Sequence, residues 1–479
     1  MSINCIVNKG EKMNIDVYII FIYLITILII GILSSRKLES IDDFALSNVK
    51  YGKTVIFITM CCSFLGGGFS FGNATEVYKN GIGNTLVLCG FSLGQIIIGK
   101  YIVPKMDAFK DCISTGNIIG KIYGTGMQII TGILSTMICA GILGAQVSVM
   151  GKIFETFIGI PAYIGIIIGF GIVLIYSTIG GIKADIVTDI IQFFILIIGL
   201  PFLIIYGIKE AGGVNYIIQL VPTNYWNILN NTNMVAFISA FLTLMIGEML
   251  IPPYVQRLLI GKKSEDTAKA TVLSGYVSIL FFVITGSIGI IAYTINQNMN
   301  PDLAMIGIIK QVLPIGLSGV IVSAMMAIVL STADSFLNSA AVGAVDDVYL
   351  PLKGKYVTQK EKLKMARIAN IVIGIIAVLV AMFIPGLLDI LTFSYSFWAP
   401  TVLPLLIFTI LGIRVKKYIA LFGVIIGFLT TFIWDIVLIS PYNINGLIIG
   451  FITNIFSMVV LQTMSSSIII KLQSRKKII

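Results

Sequence analysis

No histidine occurs among the 479 residues, and charged residues make up only 11%. The first absence removes the commonest general base and the commonest ligand for zinc and copper. The second excludes an ordinary soluble domain, in which about a quarter of the residues are charged. The six cysteines contain no C-x-x-C spacing; Cys61 and Cys62 are adjacent and most of the others lie in apolar runs. That leaves them as small apolar residues and excludes a disulfide framework. A signal peptide carries its positive charge ahead of its apolar run. Here polar residues 1–16 precede VYIIFIYLITILIIGIL, and Arg36 and Lys37 follow it, so the run reads as a first spanning helix that is kept.

What is present is apolar sequence. Hydrophobic residues are 57% of the chain, which fits a polytopic helical membrane protein. A span needs about 20 mostly apolar residues. By that rule candidate spans lie at 17–35, 53–76, 82–103, 119–149, 157–178, 185–208, 233–258, 269–295, 316–345, 367–384, 387–412, 417–439 and 444–466. Basic residues collect on cytoplasmic loops. With the N-terminus outside, about 26 of the 32 Lys and Arg fall in cytoplasmic segments, Lys183, Arg257 and the 353–367 cluster among them. The alternation holds at every loop, so thirteen spans, N-out and C-in, are expected. The net charge of +10 is then an orientation signal and requires no nucleic-acid partner.

Two spans are interrupted. Gly66-Gly67-Gly68 breaks the second, and Gly247, Glu248, Pro252 and Pro253 break the seventh. Glycine and proline are poor helix residues, and unwound backbone at membrane depth is tolerated only where protein or water satisfies it. Matched breaks five spans apart point to an inverted-repeat transporter with its site near the midplane; glycines that merely permit close packing are the alternative. The ninth span carries AIVLSTADSFLNSA. On a helix, Ser331, Asp334, Ser335 and Asn338 share a third of the circumference or less. A carboxylate inside lipid costs about 2.5–3.5 kcal/mol on insertion scales, so this stripe is expected to face the bundle interior. Hydroxyl and carboxylate oxygens suit hard cations; hydroxyls bonded back to i−4 carbonyls are the alternative.

These segments resemble the sodium:solute symporter family over nearly the whole chain. DDFALSNVKYGKT at 42–54, FLGGGFSFGNATEVYKNG, GGIKADIVTDIIQFFILIIG at 180–199, PPYVQRLLIGKKSEDTAKAT and MAIVLSTADSFLNSAAVGAVDDVY carry the likeness. One departure is Lys183 followed by Asp185, where mostly apolar residues are expected. The resemblance implies an all-α, LeuT-like core of two inverted five-helix repeats, 53–208 and 233–412, in one transmembrane domain. One extra helix precedes them (17–35) and two follow (417–466). It implies a sodium ion, co-transported, bound by the carbonyls of Cys62, Leu65 and Ile328 and the hydroxyls of Ser331 and Thr332. A second cation site, used by some members, would fall on Thr188, Asp189, Asp334 and Ser335. Asp334 either binds that cation or holds a proton or hydrogen-bond network with one sodium per cycle.

The resemblance further implies uptake of a small organic solute by alternating access across a lipid bilayer, the bacterial cytoplasmic membrane, with no obligate protein partner. Its pocket would be built from Phe64, Gly66, Gly67, Gly68 and Phe69, from Glu248, Pro252 and Tyr254, and from Thr392, Tyr395, Ser396 and Trp398. Free amides at 66–69 can meet an anionic group, and Glu248 can meet an ammonium, a pairing that suits an amino-acid zwitterion. Choline, a sugar, sialic acid or a monocarboxylate are the alternatives. Among other classes, a channel would need a continuous polar pore. A membrane sensor would need a signalling module, for which the short segment after the last span leaves no room. An enzyme would need a nucleophile, base or metal cluster, and no such constellation is found.

Overall fold

A computed structural model describes residues 4–34, 38–47, 49–230, 232–354, 357–383 and 387–476. Arg36, Lys37, Lys355 and Lys477 of the charge pattern lie outside them. Among the described residues every element is helical, with one isolated bridge between Tyr51 and Gly261. The longer helices are α1 (Asn4–Ser34), α2 (Lys53–Phe64), α3 (Gly67–Asn80), α4 (Gly83–Tyr101), α5 (Thr125–Ile153), α6 (Ala162–Glu210), α7 (Met234–Gly247) and α8 (Pro252–Ile260). They continue as α9 (Ser264–Ile295), α10 (Leu317–Val342), α11 (Gln359–Phe383), α12 (Leu387–Tyr395), α13 (Val402–Leu411), α14 (Lys417–Phe432) and α15 (Gly446–Lys476).

Among the described residues eight helices are long and apolar enough to cross a membrane, or up to eleven if each bent pair is one span. The expected thirteen differ in two places for identifiable reasons. The spans 157–178 and 185–208 follow each other without a loop, as two helices that meet at a kink inside α6; a straight helix of its 49 residues would run about 73 Å at 1.5 Å per residue, over twice a hydrocarbon core. Gly181 divides it, at φ 54° and ψ −155°, and a β-carbon there would stand 2.6 Å from the Phe44 carbonyl oxygen. The span 387–412 is not one helix either: α12 ends at Tyr395 and α13 begins at Val402. The span expected at 119–149 starts inside a short helix, Thr115–Tyr123, that Gly124 separates from α5 at φ 83°.

Both sequence breaks are real bends. The axes of α2 and α3 differ by 50°, and those of α7 and α8 by 47°. The helix that carries the polar stripe is the most enclosed: 94% of the apolar window in 317–353 is buried, against 28% for α1, so α10 is the central strut rather than a lipid-facing helix. α5 and α6 pack along it, and α1 packs on both α6 and α10. Asp16 of α1 fixes the start of α10: one carboxylate oxygen accepts from the amides of Gly316 and Gly319, each at 2.8 Å. Those amides open a helix and have no intrahelical partner of their own.

Candidate functional site

The first break supplies open backbone oxygens. Leu65 leaves the helix at φ −90° and ψ 43°, Gly66 is extended, and α3 restarts at Gly67. In an unbroken helix the Cys62 carbonyl would accept from the Gly66 amide. Instead it accepts from the hydroxyls of Ser331 and Thr332 on α10, each at 3.3 Å. The same two hydroxyls reach back to the Ile328 carbonyl at 3.2 and 3.1 Å. Four of the five oxygens expected to hold sodium therefore converge, and all four residues are buried. The fifth residue, Leu65, stands at the break beside Gly66, whose β-carbon would lie 3.0 Å from the Thr332 hydroxyl. Back-bonding along the helix thus uses the same oxygens that are expected to hold the cation. The cluster is uncharged and all oxygen, which suits a hard cation of low charge.

One helical turn along α10 lies a charged cluster. Arg257, on α8, is wholly buried. Its Nη2 donates to Asp185 Oδ2 at 2.5 Å and to the Ser335 hydroxyl at 2.5 Å, and lies 3.6 Å from Asp189 Oδ2. Thr59 donates to that same Asp189 oxygen, and the Cys62 thiol donates to the Asp189 carbonyl at 3.2 Å. Of the residues expected at a second cation site, Thr188 turns its hydroxyl to the carbonyls of Ala184 and Asp185, and Ser335 and Asp189 face the guanidinium. Asp334 is buried, with the Ser177 hydroxyl close to its carboxylate but no hydrogen bond of full geometry to either oxygen among the described residues.

The second break faces the first across a narrow chamber. Ser63, Phe64, Gly66, Gly68, Phe69, Ile142, Gln146, Glu248, Tyr254, Thr332, Phe336 and Leu391 line it. It holds roughly 10 Å³ of water-accessible space, enough for about one water. Glu248, just past the end of α7, accepts from Tyr254 and Tyr395, each hydroxyl at 2.5 Å. Trp398 donates its indole N–H to the Met249 carbonyl at 2.8 Å and so ties the α12–α13 gap to the α7–α8 gap. Pro252 starts α8 and does not line the chamber. Thr392 and Ser396 open onto a different cavity of about 480 Å³ with Phe397, Phe428 and Asp435.

Two functional positions escaped sequence reading. Gln146 of α5 accepts from the Gly67 amide at 2.8 Å and fixes the break from a third helix; a lone amide in the apolar run GILGAQVSVMG was its only signal. Arg257 was counted as cytoplasmic charge. Its proximity to an apolar segment and the unexpected Asp185 were the available clues.

Comparison with known proteins gives the family and the fold. The model of the sodium:solute symporter family matches residues 44–427. The osmoregulated proline transporter OpuE of Bacillus subtilis (strain 168) is 22% identical over 451 residues, spanning 91% of this chain and 89% of that one. The sodium/proline symporter of Escherichia coli (strain K12) is 22% identical over 86% of each chain. Among solved structures, a Na+-coupled sialic acid symporter in a substrate-bound outward-open state superposes with a TM-score of 0.81 at 19% identity, covering 94% of this chain and 98% of that one. MhsT in complex with L-phenylalanine gives 0.55 at 14% identity, covering 86% and 98%. The fold is therefore that of the LeuT-like transporters, as the resemblance implied. The chain belongs to the sodium:solute symporter family, and is an integral membrane protein that moves sodium together with a solute.

Proposed function

We propose that the protein takes up a small zwitterionic amino acid of the proline type, driven by inward sodium movement. The carrying observation is the chamber itself. On one side stands the Glu248 carboxylate, oriented by two tyrosine hydroxyls; on the other, the first-turn amides of α3 at Gly68 and Phe69, which have no intrahelical partner. No Lys or Arg lines the chamber. A solute ammonium would face Glu248, and its carboxylate would face the α3 N-terminus, where the helix dipole favours anions. That the matching bacterial relatives include proline symporters supports this choice.

Thirteen spans with the N-terminus outside, arranged as two inverted repeats at 53–208 and 233–412, complete the proposal. Sodium bound by Cys62, Leu65, Ile328, Ser331 and Thr332 would join α2 to α10. It would drive the cycle only to the extent that it binds one conformation more tightly than the other. A membrane potential adds about 2.3 kcal/mol per charge per 100 mV.

One observation favours a second substrate. The chamber is walled by aromatic rings: Phe64 lies 4.6 Å from Tyr254 and 5.2 Å from Phe91 between centroids, and Tyr254 lies 6.3 Å from Phe336. Such walls also suit a quaternary ammonium. The test is uptake of radiolabelled L-proline into proteoliposomes under an inward sodium gradient, with unlabelled amino acids and choline as competitors. Sodium-dependent proline uptake is expected. Choline uptake that proline does not inhibit would transfer the assignment to the second reading, and sodium-independent flux would overturn both.

A further inference from the structure

Away from the chamber, three helices end together around a second groove. Lys100 stands in the last turn of α4, Lys53 is the first residue of α2, and Lys269 lies in the second turn of α9. All three are exposed, and they line one cavity of about 470 Å³. The notch has a local cause. After Tyr101 the chain bends by 59° into the short helix Val103–Phe109, with Pro104 at the corner. Beside it α4 and α9 are in close contact: a β-carbon on Gly99 would lie 2.7 Å from a Val272 methyl. The lining has two characters. Its charged residues are the three lysines and Glu265, which pairs with Lys269 at 2.8 Å, so two positive charges are left over. Among the described residues no carboxylate lies within ion-pair distance of Lys53 or Lys100. The apolar wall is Val272, Leu273 and Tyr276, and it continues past the groove. Leu273, Tyr276, Leu280 and Val283 form one exposed stripe along α9, and Leu93 and Leu86 form another along α4 from Lys100.

We propose that this groove seats an anionic phospholipid, with its phosphate among Lys53, Lys100 and Lys269 and an acyl chain along the apolar stripe of α9. Charge selects the headgroup. The lysines stand where apolar helices end, at the level of lipid phosphates, and basic pockets between spanning helices hold anionic headgroups. α2 begins at Lys53 with no side chain capping its first amides, a helix end that favours an anion. Apolar continuity selects a lipid over a soluble anion. A free phosphate would use the lysines and leave Val272, Leu273 and Tyr276 uncovered, whereas an acyl chain covers them. Lysine suits such a rim, because its stem lies along apolar surface while its ammonium reaches the interface. The lipid would bridge α2, α4 and α9. Since α2 also carries Cys62, a headgroup held at Lys53 steadies the half-helix that ends at the first break.

The test is native mass spectrometry and thermal melting of the purified full chain in detergent, with phosphatidylglycerol or phosphatidylcholine of the same chain length added. Phosphatidylglycerol is expected to stay bound and to raise the melting temperature, and phosphatidylcholine to bind about tenfold more weakly or worse. The triple variant Lys53→Gln, Lys100→Gln, Lys269→Gln is expected to lose about tenfold or more in phosphatidylglycerol affinity. A control with the same change of charge elsewhere, Lys360→Gln, Lys362→Gln, Lys364→Gln, is expected to bind as the wild type does. Equal binding of the two lipids by the wild type would overturn the proposal. So would a triple variant that binds undiminished, or a control that loses as much, which would reduce the effect to overall charge. Full stabilisation by inorganic phosphate or glycerol phosphate would make this a soluble-anion site and overturn the lipid assignment. If the triple variant does not fold, Lys100→Gln against Lys100→Arg decides: weaker binding with glutamine alone supports the proposal, and equal binding in both overturns it.

Discussion

At the scale of single residues, the proposed ion ligands and the chamber acid make separable predictions. Ser331 and Thr332 share two carbonyls, Cys62 and Ile328. Hydrogen bonds and contacts to charged groups are worth about 1.5–3 kcal/mol, and 1.4 kcal/mol is tenfold in affinity. Ser331→Ala or Thr332→Ala should therefore raise the sodium concentration for half-maximal uptake about tenfold or more. Unchanged sodium dependence in both variants, with correctly inserted protein, would remove the site. Glu248→Gln keeps an acceptor for the tyrosine hydroxyls and loses the charge. It should weaken solute affinity about 10–100-fold, because a buried ammonium loses its counter-charge, while half-saturating sodium moves less than about twofold. If sodium affinity fell as far as solute affinity, Glu248 would be organising the fold and not the solute.

At the scale of elements, the helices and their two breaks were legible because each left a compositional mark. Apolar length marked the spans, and Gly66-Gly67-Gly68 and the Pro252-Pro253 pair marked the bends. The gap between α12 and α13 left no such mark, since TFSYSFWAP reads as ordinary apolar helix up to Pro400. Its unwinding depends on tertiary bonds, among them Trp398 to Met249. The oxygens proposed to hold sodium are legible through motif resemblance. The charged cluster was not, because Asp185 and Arg257 are 72 positions apart and pairing at that range has no local signature. Gly181 offers an element-level test. A side chain at positive φ costs about 1–2 kcal/mol, and its β-carbon would also press on Phe44. Gly181→Ala should lower the melting temperature of the purified protein, measured by tryptophan fluorescence, whereas Gly171→Ala, which meets no neighbour within 4 Å, should leave it in place.

At the scale of the whole molecule, a chamber with room for about one water means that the described shape cannot admit a solute without movement. Phe64, Tyr254, Phe336 and Leu391 enclose it from four helices, so opening must separate at least some of them. The feature that resists separation is buried charge. Breaking a buried pair by removing one partner costs about 3–5 kcal/mol. Asp185→Ala should accordingly reduce the denaturant or heat tolerance of the folded chain more than any substitution at a lipid-facing position such as Ile197, which is 52% exposed; equal tolerance in both would show that the pair carries no structural load. At the opposite end of α10, Asp16 plugs the helix start roughly 18 Å, or twelve residues of rise, from Ser331. The foremost helix, which precedes both proposed repeats, thereby grips the rod on which sodium would sit. Shortening the front of the chain past Asp16, or hanging a rigid fusion on it, would pull on that rod from its far tip and so disturb ion capture without touching a single ligand.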